Sequence, residues 1–204
     1  MNLPNKITMS RFGVAVLLFG FLVYTNTCSG PEWWQPALAA GVFILAVATD
    51  ALDGYYARKL GMQSDFGRIA DPVVDKIIVC GAFVFLISVP WAREYVYVWM
   101  AVVMIGREFL VSGLRGYIES RGVAFPSRWD GKLKMVMQCV AVPAVFVVRA
   151  VDLSIGQEYP LVLDIFTWIA YISVWTTFVM TVVSGARYVT AAADVLRGSD
   201  AGAA

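Results

Sequence analysis

Four aspartates at regular spacing are the residues of this sequence with the most evident chemistry. Asp50 interrupts an apolar run and Asp53 follows three residues later, whereas Asp71 and Asp75 lie four residues apart further along the chain. Residues three or four apart share one face of a helix, so each pair can present its carboxylates in one direction. A short connection between the two helices would bring all four carboxylates to the same level.

Such a group of carboxylates favours a hard divalent cation. Like charges repel strongly in a medium of low dielectric, so a positive charge must lie among them. The sequence has 0 histidines, and its 3 widely spaced cysteines form neither a zinc pattern nor a disulfide framework. Oxygen ligands alone suit Mg²⁺ or Mn²⁺, and one or two ions could be bound.

Two residues beside the aspartates favour a phosphate-containing ligand. Gly54 leaves room for a phosphate or nucleotide to approach the backbone, and Arg58 lies one turn further, where it could pair with a phosphate. Alternatively, the aspartates are ordinary interfacial charges that pair with Arg58, Lys59 and Arg68. That alternative explains one aspartate well but not the whole set at these intervals, whereas for Asp65, outside the spacing, we prefer it.

The composition predicts the elements that must position these residues. Of the 204 residues 59% are hydrophobic and 15% charged, and the mean hydropathy is +0.69. Soluble domains average about 45–50% apolar and about 25% charged residues. We therefore expect an all-α polytopic membrane protein with a single domain over residues 1–204 and a disordered tail at 198–204. Six candidate transmembrane helices are visible, at about 10–24, 36–56, 73–89, 95–114, 133–149 and 161–187.

The distribution of lysine and arginine predicts the orientation. If the N-terminus is cytoplasmic, only Arg93 and Arg149 of the 16 basic residues fall on the outer side. Basic residues concentrate in cytoplasmic segments of membrane proteins. The sequence thus predicts that both termini are cytoplasmic and that the aspartates lie at cytoplasmic helix ends. The two longer loops, at 57–72 and 115–132, are expected on the same side of the membrane.

A second polar group follows on the same side of the membrane. Arg107 and Arg115 are eight residues apart and nearly on one helix face, and Lys132 opens the fifth span. Guanidinium groups bind phosphate well, so we expect these three cations to bind an anionic acceptor. Glu108 is expected to point elsewhere on the helix. Positive-inside topology is the alternative, and we prefer it for two further residues, Arg121 and Arg128.

The aspartate motif resembles the signature of the CDP-alcohol phosphatidyltransferase family. The pattern D-x2-D-G-x2-A-R-x8-G-x3-D-x3-D is complete, at Asp50, Asp53, Gly54, Ala57, Arg58, Gly67, Asp71 and Asp75. Eight fixed residues at fixed intervals make a specific motif. The resemblance implies six transmembrane helices and transfer of a phosphatidyl group from a CDP-lipid to an alcohol.

The resemblance also implies roles for individual residues. Asp50, Asp53, Asp71 and Asp75 would bind the metal, as two Mg²⁺ or Mn²⁺ ions, and Asp75 would also act as the base. Asp53, Gly54 and Arg58 would contact the CDP moiety, and Ala57 and Gly67 would be structural. Two N-terminal residues, Asn5 and Thr8, could line the same pocket, although helix capping and interfacial anchoring explain them at least as well.

Three segments resemble the bacterial phosphatidylglycerophosphate synthases within that family: Asn2–Arg11, Arg107–Arg115 and Gly131–Gln138. This implies CDP-diacylglycerol and sn-glycerol 3-phosphate as substrates, a homodimer, and a cytoplasmic active site in the bacterial inner membrane. Residues 144–204 match only in apolar character. Two alternatives stay open, namely another acceptor such as an inositol phosphate or phosphatidylglycerol, and a divalent-cation transporter. Transport sites usually lie near the midplane on broken helices, which disfavours the transporter.

Overall fold

A computed structural model describes the backbone of residues 3–27, 30–60, 65–121, 123 and 129–201. Side chains are described for residues 12–26, 30–49, 76–121, 123, 129, 131 and 133–195. Within these ranges the chain is helical and contains no strand, which confirms the all-α prediction. The helices are α1 Leu3–Thr27, α2 Trp34–Leu60, α3 Asp65–Ser88, α4 Val98–Ser120, α5 Trp129–Ser154 and α6 Pro160–Ala201, with a short 3₁₀ turn at Pro90–Ala92 before α4.

Each candidate span largely coincides with one helix, although residue 89 lies beyond α3 and residues 95–97 precede α4, and the helices are longer than the apolar runs. Because α2 ends at Leu60 and α3 begins at Asp65, most of the predicted polar stretch 57–72 is helical, and α4 continues through 115–120. The prediction of long irregular connections was wrong here. Hydropathy marks the part of a helix that suits lipid, whereas backbone hydrogen bonds continue beyond it into water.

Apolar helices and exposed apolar side chains are features typical of a membrane protein. Among the described residues, 2 helices are long and apolar enough to cross a bilayer, Leu133–Ser154 and Pro160–Val195. Shorter apolar helices cover Phe12–Asn26, Trp34–Thr49 and Lys76–Ser88. Large side chains point outward, and Leu17, Leu45 and Leu161 are 74%, 67% and 71% exposed. Such surfaces are unfavourable in water and suit lipid tails.

Helix α5 lies at the centre of the bundle, where it packs against α2, α3 and α6. The core contains fully buried aromatic and aliphatic side chains, including Phe43, Phe83, Phe146 and Leu86. Helix α1 packs against both α2 and α3, the two helices that carry the aspartate motif. The backbone that positions the motif is therefore supported on several sides.

Helices α4 and α6 form a second, smaller contact region. Val111 and Ile118 of α4 pack with Tyr188 and Ala192 of α6. With a rise of about 1.5 Å per residue, α6 is about 63 Å long, roughly twice the thickness of the bilayer core. It extends to Ala201, so the predicted tail at 198–204 begins as helix, while residues 202–204 lie outside the described part of the chain.

Candidate functional site

The aspartate motif lies on two helices that follow one another in the chain. Asp50 and Asp53 are in the second half of α2, and Asp71 and Asp75 are in the first half of α3. Helical backbone at both places agrees with the expectation that each pair shares one helix face. The four side chains lie outside the described ones. Convergence of the carboxylates on a metal therefore stays a prediction.

Most other residues singled out in the sequence are placed by backbone alone. Their side chains are not among those described, which applies to Asn5, Thr8, Gly54, Ala57, Arg58, Gly67 and Lys132. Asn5 and Thr8 lie in α1, Lys132 lies in the first turn of α5, and the rest lie in α2 or α3. Among the described side chains, which do not include the aspartate motif, no group of three or more His, Cys, Asp or Glu could hold a metal ion.

The described side chains do form a polar cluster, which we call the arginine–tyrosine cluster. It consists of Arg107, Glu108, Arg115, Lys134, Ser184 and Tyr188, contributed by α4, α5 and α6. The Cζ atoms of Arg107 and Arg115 lie 5.6 and 5.9 Å from the centroid of the same Tyr188 ring. Nη2 of Arg115 also donates a hydrogen bond of 3.3 Å to the Tyr188 hydroxyl. The two arginines that the sequence predicted to act together are thus brought together by one aromatic ring.

Glu108 is the carboxylate of this cluster, and the prediction that it points elsewhere was wrong. Its Oε1 accepts a hydrogen bond of 3.3 Å from Nη1 of Arg107 and a second one from the ammonium of Lys134. The three side chains are only 14%, 10% and 5% exposed, for Glu108, Arg107 and Lys134 respectively. Long side chains at adjacent helix positions can bend toward each other, and buried cations need a counter-ion.

Among the described side chains, the cluster has an excess of positive charge and of hydrogen-bond donors. The cluster contains three cationic groups, those of Arg107, Arg115 and Lys134. Glu108 is the one carboxylate among the described contacts. Nε of Arg107 and Nε of Arg115 are buried and have no hydrogen-bond partner among the described residues. Unpaired buried donors beside surplus positive charge favour an anionic ligand.

Sequence reasoning missed the contribution of α6. Ser184 and Tyr188 are four residues apart, so they share the helix face toward α4. A signal was present, because Ser184, Gly185 and Tyr188 interrupt an apolar stretch at helical spacing. This signal is weak because the apolar segment around these three residues is long.

Arg121 is placed differently from the two half-buried arginines, Arg107 and Arg115. It is exposed near the end of α4, and its Cζ lies 4.8 Å from the ring centroid of Tyr117, on the same helix. This local contact agrees with the interpretation of Arg121 as a surface residue that follows topology. Arg128 lies outside the described residues.

Comparison with known proteins decides the family. A sequence profile of the CDP-alcohol phosphatidyltransferase family matches residues 1–183, which include the whole aspartate motif. The chain belongs to this family. As a CDP-alcohol phosphatidyltransferase it is a phosphotransferase, as its motif had predicted. The matched range ends just before Ser184, so the α6 part of the arginine–tyrosine cluster lies beyond it.

Curated relatives narrow the resemblance to one branch of the family. The chain is 33% identical over 205 residues to the CDP-diacylglycerol–glycerol-3-phosphate 3-phosphatidyltransferase of Bacillus subtilis, covering 98% of this chain and 99% of that protein. The protein of the same name from Rickettsia typhi is 30% identical over 187 residues, 92% of this chain and 94% of its own length. The one from Pseudomonas fluorescens is 40% identical over 129 residues, 62% and 60% of the two chains.

Proposed function

We propose that this protein transfers the phosphatidyl group of CDP-diacylglycerol to sn-glycerol 3-phosphate, giving phosphatidylglycerophosphate and CMP in phospholipid biosynthesis. Full-length similarity to relatives that carry the name of this activity supports the reaction. The observation that carries the choice of acceptor is the arginine–tyrosine cluster, where two half-buried arginines with buried, unpaired Nε atoms favour a phosphate-bearing alcohol.

The donor set of the aspartate motif fits a divalent metal. Asp50, Asp53, Asp71 and Asp75 offer only carboxylate oxygens, in a sequence with 0 histidines, and this is the ligand chemistry that Mg²⁺ and Mn²⁺ prefer. When bound, two such ions would neutralise the pyrophosphate of the CDP-lipid and stabilise the leaving CMP.

The protein's own residues would perform the remaining steps. Asp75 would accept the proton of the acceptor hydroxyl as that oxygen attacks the phosphorus that bears the lipid. The new phosphate ester bond forms as the bond to CMP breaks, so CMP leaves with the electron pair. Asp53, Gly54 and Arg58 would hold the CDP moiety together with two residues of α1, Asn5 and Thr8.

The acceptor would bind on the α4 side of the site. Arg107, Arg115 and Lys132 would bind its phosphate, the two arginines from α4 and the lysine from the first turn of α5. A guanidinium can donate two parallel hydrogen bonds to a phosphate, which adds orientation to charge. The acceptor hydroxyl would then face the aspartates.

We also propose the membrane arrangement on which this chemistry depends. Six spans with both termini in the cytoplasm would place the aspartates and the arginine–tyrosine cluster on the cytoplasmic side of the bacterial inner membrane. The concentration of basic residues on that side supports this orientation. A single catalytic domain over residues 1–204 and assembly as a homodimer belong to the same proposal.

The acceptor dependence of CMP release tests the proposal. Purified protein is mixed with CDP-diacylglycerol and Mg²⁺, and sn-glycerol 3-phosphate, an inositol phosphate and phosphatidylglycerol are added in separate reactions. We expect release only with sn-glycerol 3-phosphate and only with the divalent ion present. Release with a different alcohol would keep the reaction class and replace the acceptor. Absence of release with every acceptor would overturn the assignment as a phosphatidyltransferase of this kind.

A further inference from the structure

Contacts with α6 restrict the position of the Arg107 side chain. Nη2 of Arg107 donates a hydrogen bond of 2.9 Å to the hydroxyl of Ser184, which in turn donates one of 3.2 Å to the backbone carbonyl of Thr181. Because the helix backbone fixes that carbonyl, it also orients the hydroxyl. The hydrogen-bond acceptor of Arg107, the Ser184 hydroxyl, is therefore held in place by α6.

The next residue of α6 provides the space that the Arg107 side chain occupies. A Cβ atom on Gly185 would lie 2.9 Å from Cγ of Arg107, 3.7 Å from Nε and 3.9 Å from Cδ. Cγ is near the base of the side chain, so it can move away only if the χ1 torsion changes. Such a change would carry the guanidinium away from Ser184 and from the ring of Tyr188.

A second glycine makes a close approach to Tyr188 itself. A Cβ atom on Gly131 of α5 would lie 3.2 Å from the Tyr188 hydroxyl oxygen and 3.5 Å from Cε2. This approach is tight but requires only a small shift. Gly131 immediately precedes Lys132, so the same contact sets how near the start of α5 comes to the arginine–tyrosine cluster.

We propose that Ser184 and Gly185 are positioning residues, which hold the Arg107 guanidinium in the orientation that binds the phosphate of the acceptor. The inference rests on the proposed function, because it assumes that Arg107 binds that phosphate. The proposal gives a role to Ser184 and Gly185, in a part of α6 where the sequence showed only apolar character. Neither residue needs to touch a substrate, since both act through Arg107.

Gly185→Ala tests the proposal, with Gly113→Ala as the matched control. Gly113 lies on α4 between the two arginines, and a Cβ atom there would meet nothing within 4 Å. Both substitutions bring the same gain in helix propensity, so they differ in the space they fill. For Gly185→Ala we expect the KM for sn-glycerol 3-phosphate to rise about tenfold, the loss typical of a weakened charged hydrogen bond. The kcat and the KM for CDP-diacylglycerol should stay within about twofold of the control.

Ser184→Ala provides a second measurement that does not crowd the helix interface. It removes the hydroxyl that accepts from Arg107, and we expect the same KM to rise about threefold to tenfold. If Gly185→Ala cannot be purified in folded form, this variant decides the question alone.

The outcomes separate the two proposals. An acceptor KM equal to that of the Gly113→Ala control, or an equal rise in the KM for both substrates, would overturn the positioning role and leave the proposed function standing. Wild-type protein that releases no CMP with sn-glycerol 3-phosphate would overturn both. An unchanged KM for sn-glycerol 3-phosphate in Ser184→Ala would also contradict the positioning role.

Discussion

Asp75 and Asp65 carry the same side chain on the same helix, yet only Asp75 belongs to the aspartate motif. We expect Asp75→Asn to lower the rate of CMP release by at least about 100-fold, because an amide cannot accept the proton of the attacking hydroxyl. Asp65→Asn, the control, should keep the wild-type rate within about twofold. The measurement is steady-state CMP release at saturating substrates. A wild-type rate in the Asp75 variant would remove the base assignment.

Arg115 and Arg121 form a comparable pair among the basic residues. Arg115 is half-buried against Tyr188, whereas Arg121 is exposed and contacts a tyrosine of its own helix. Arg115→Lys keeps the charge but loses the planar fork, so we expect the KM for sn-glycerol 3-phosphate to rise about fivefold to tenfold. The KM for CDP-diacylglycerol should not change. Arg121→Lys should leave both constants unchanged, and equal shifts in both for Arg115→Lys would contradict an acceptor site.

These residues also show what a sequence can and cannot reveal at this scale. The motif aspartates and Arg107 with Arg115 could be found because their spacing follows the period of a single helix. Ser184 and Tyr188 could not be joined to Arg107 in this way, since they lie on another helix and contact it only after packing. The Glu108–Lys134 contact between α4 and α5 could not be predicted for the same reason.

At the scale of helices, the pair formed by Glu108 and Lys134 connects α4 to α5. Both side chains are largely buried, so removal of Glu108 leaves the Lys134 ammonium desolvated and without this counter-ion. The pair also contacts Arg107 through Glu108. Its stability therefore affects the helix pairing and the arginine–tyrosine cluster together.

Glu108→Ala should lower the free energy of unfolding by about 3 kcal/mol or more, the usual cost of breaking a buried ion pair. Glu119→Ala, an exposed glutamate on the same helix, should change it by less than about 0.5 kcal/mol. Denaturant unfolding in detergent would measure both. The double variant Glu108→Gln/Lys134→Met should lose less than Glu108→Ala, because the Lys134 ammonium is then no longer buried without its counter-ion. A double variant as unstable as Glu108→Ala would contradict this account.

The helix boundaries separate what hydropathy can predict from what it cannot. The number and order of helices could be predicted because six apolar runs each require a helix in lipid. The extension of α2 to Leu60, the start of α3 at Asp65 and the length of α6 could not, because these ends carry polar residues. In water, both helix and loop satisfy their backbone hydrogen bonds, so composition does not choose between them.

For the whole molecule, the account requires the site to face the cytoplasm. Ser120 ends α4 on the side assigned to the active site, and Glu158 lies in the turn between α5 and α6 on the opposite side. Both residues are exposed. Under the proposed topology they would report on opposite membrane faces.

Single cysteines at these two positions test the orientation in a background with the 3 native cysteines replaced. In intact cells, a membrane-impermeant maleimide should label Glu158→Cys and not Ser120→Cys. Disruption of the membrane should make Ser120→Cys reactive, which serves as the control. Labelling of Ser120→Cys in intact cells, with Glu158→Cys protected, would invert the proposed topology.

Acceptor competition in one vessel tests the central claim most directly. Protein in lipid vesicles receives CDP-diacylglycerol, Mg²⁺ and equal concentrations of sn-glycerol 3-phosphate, an inositol phosphate and dispersed phosphatidylglycerol, and the new lipids are identified by mass. The account predicts phosphatidylglycerophosphate as the main product, formed in a 1:1 ratio with CMP because one phosphatidyl transfer releases one CMP. A different phosphatidyl ester as the main product, or no new lipid at all, would contradict it.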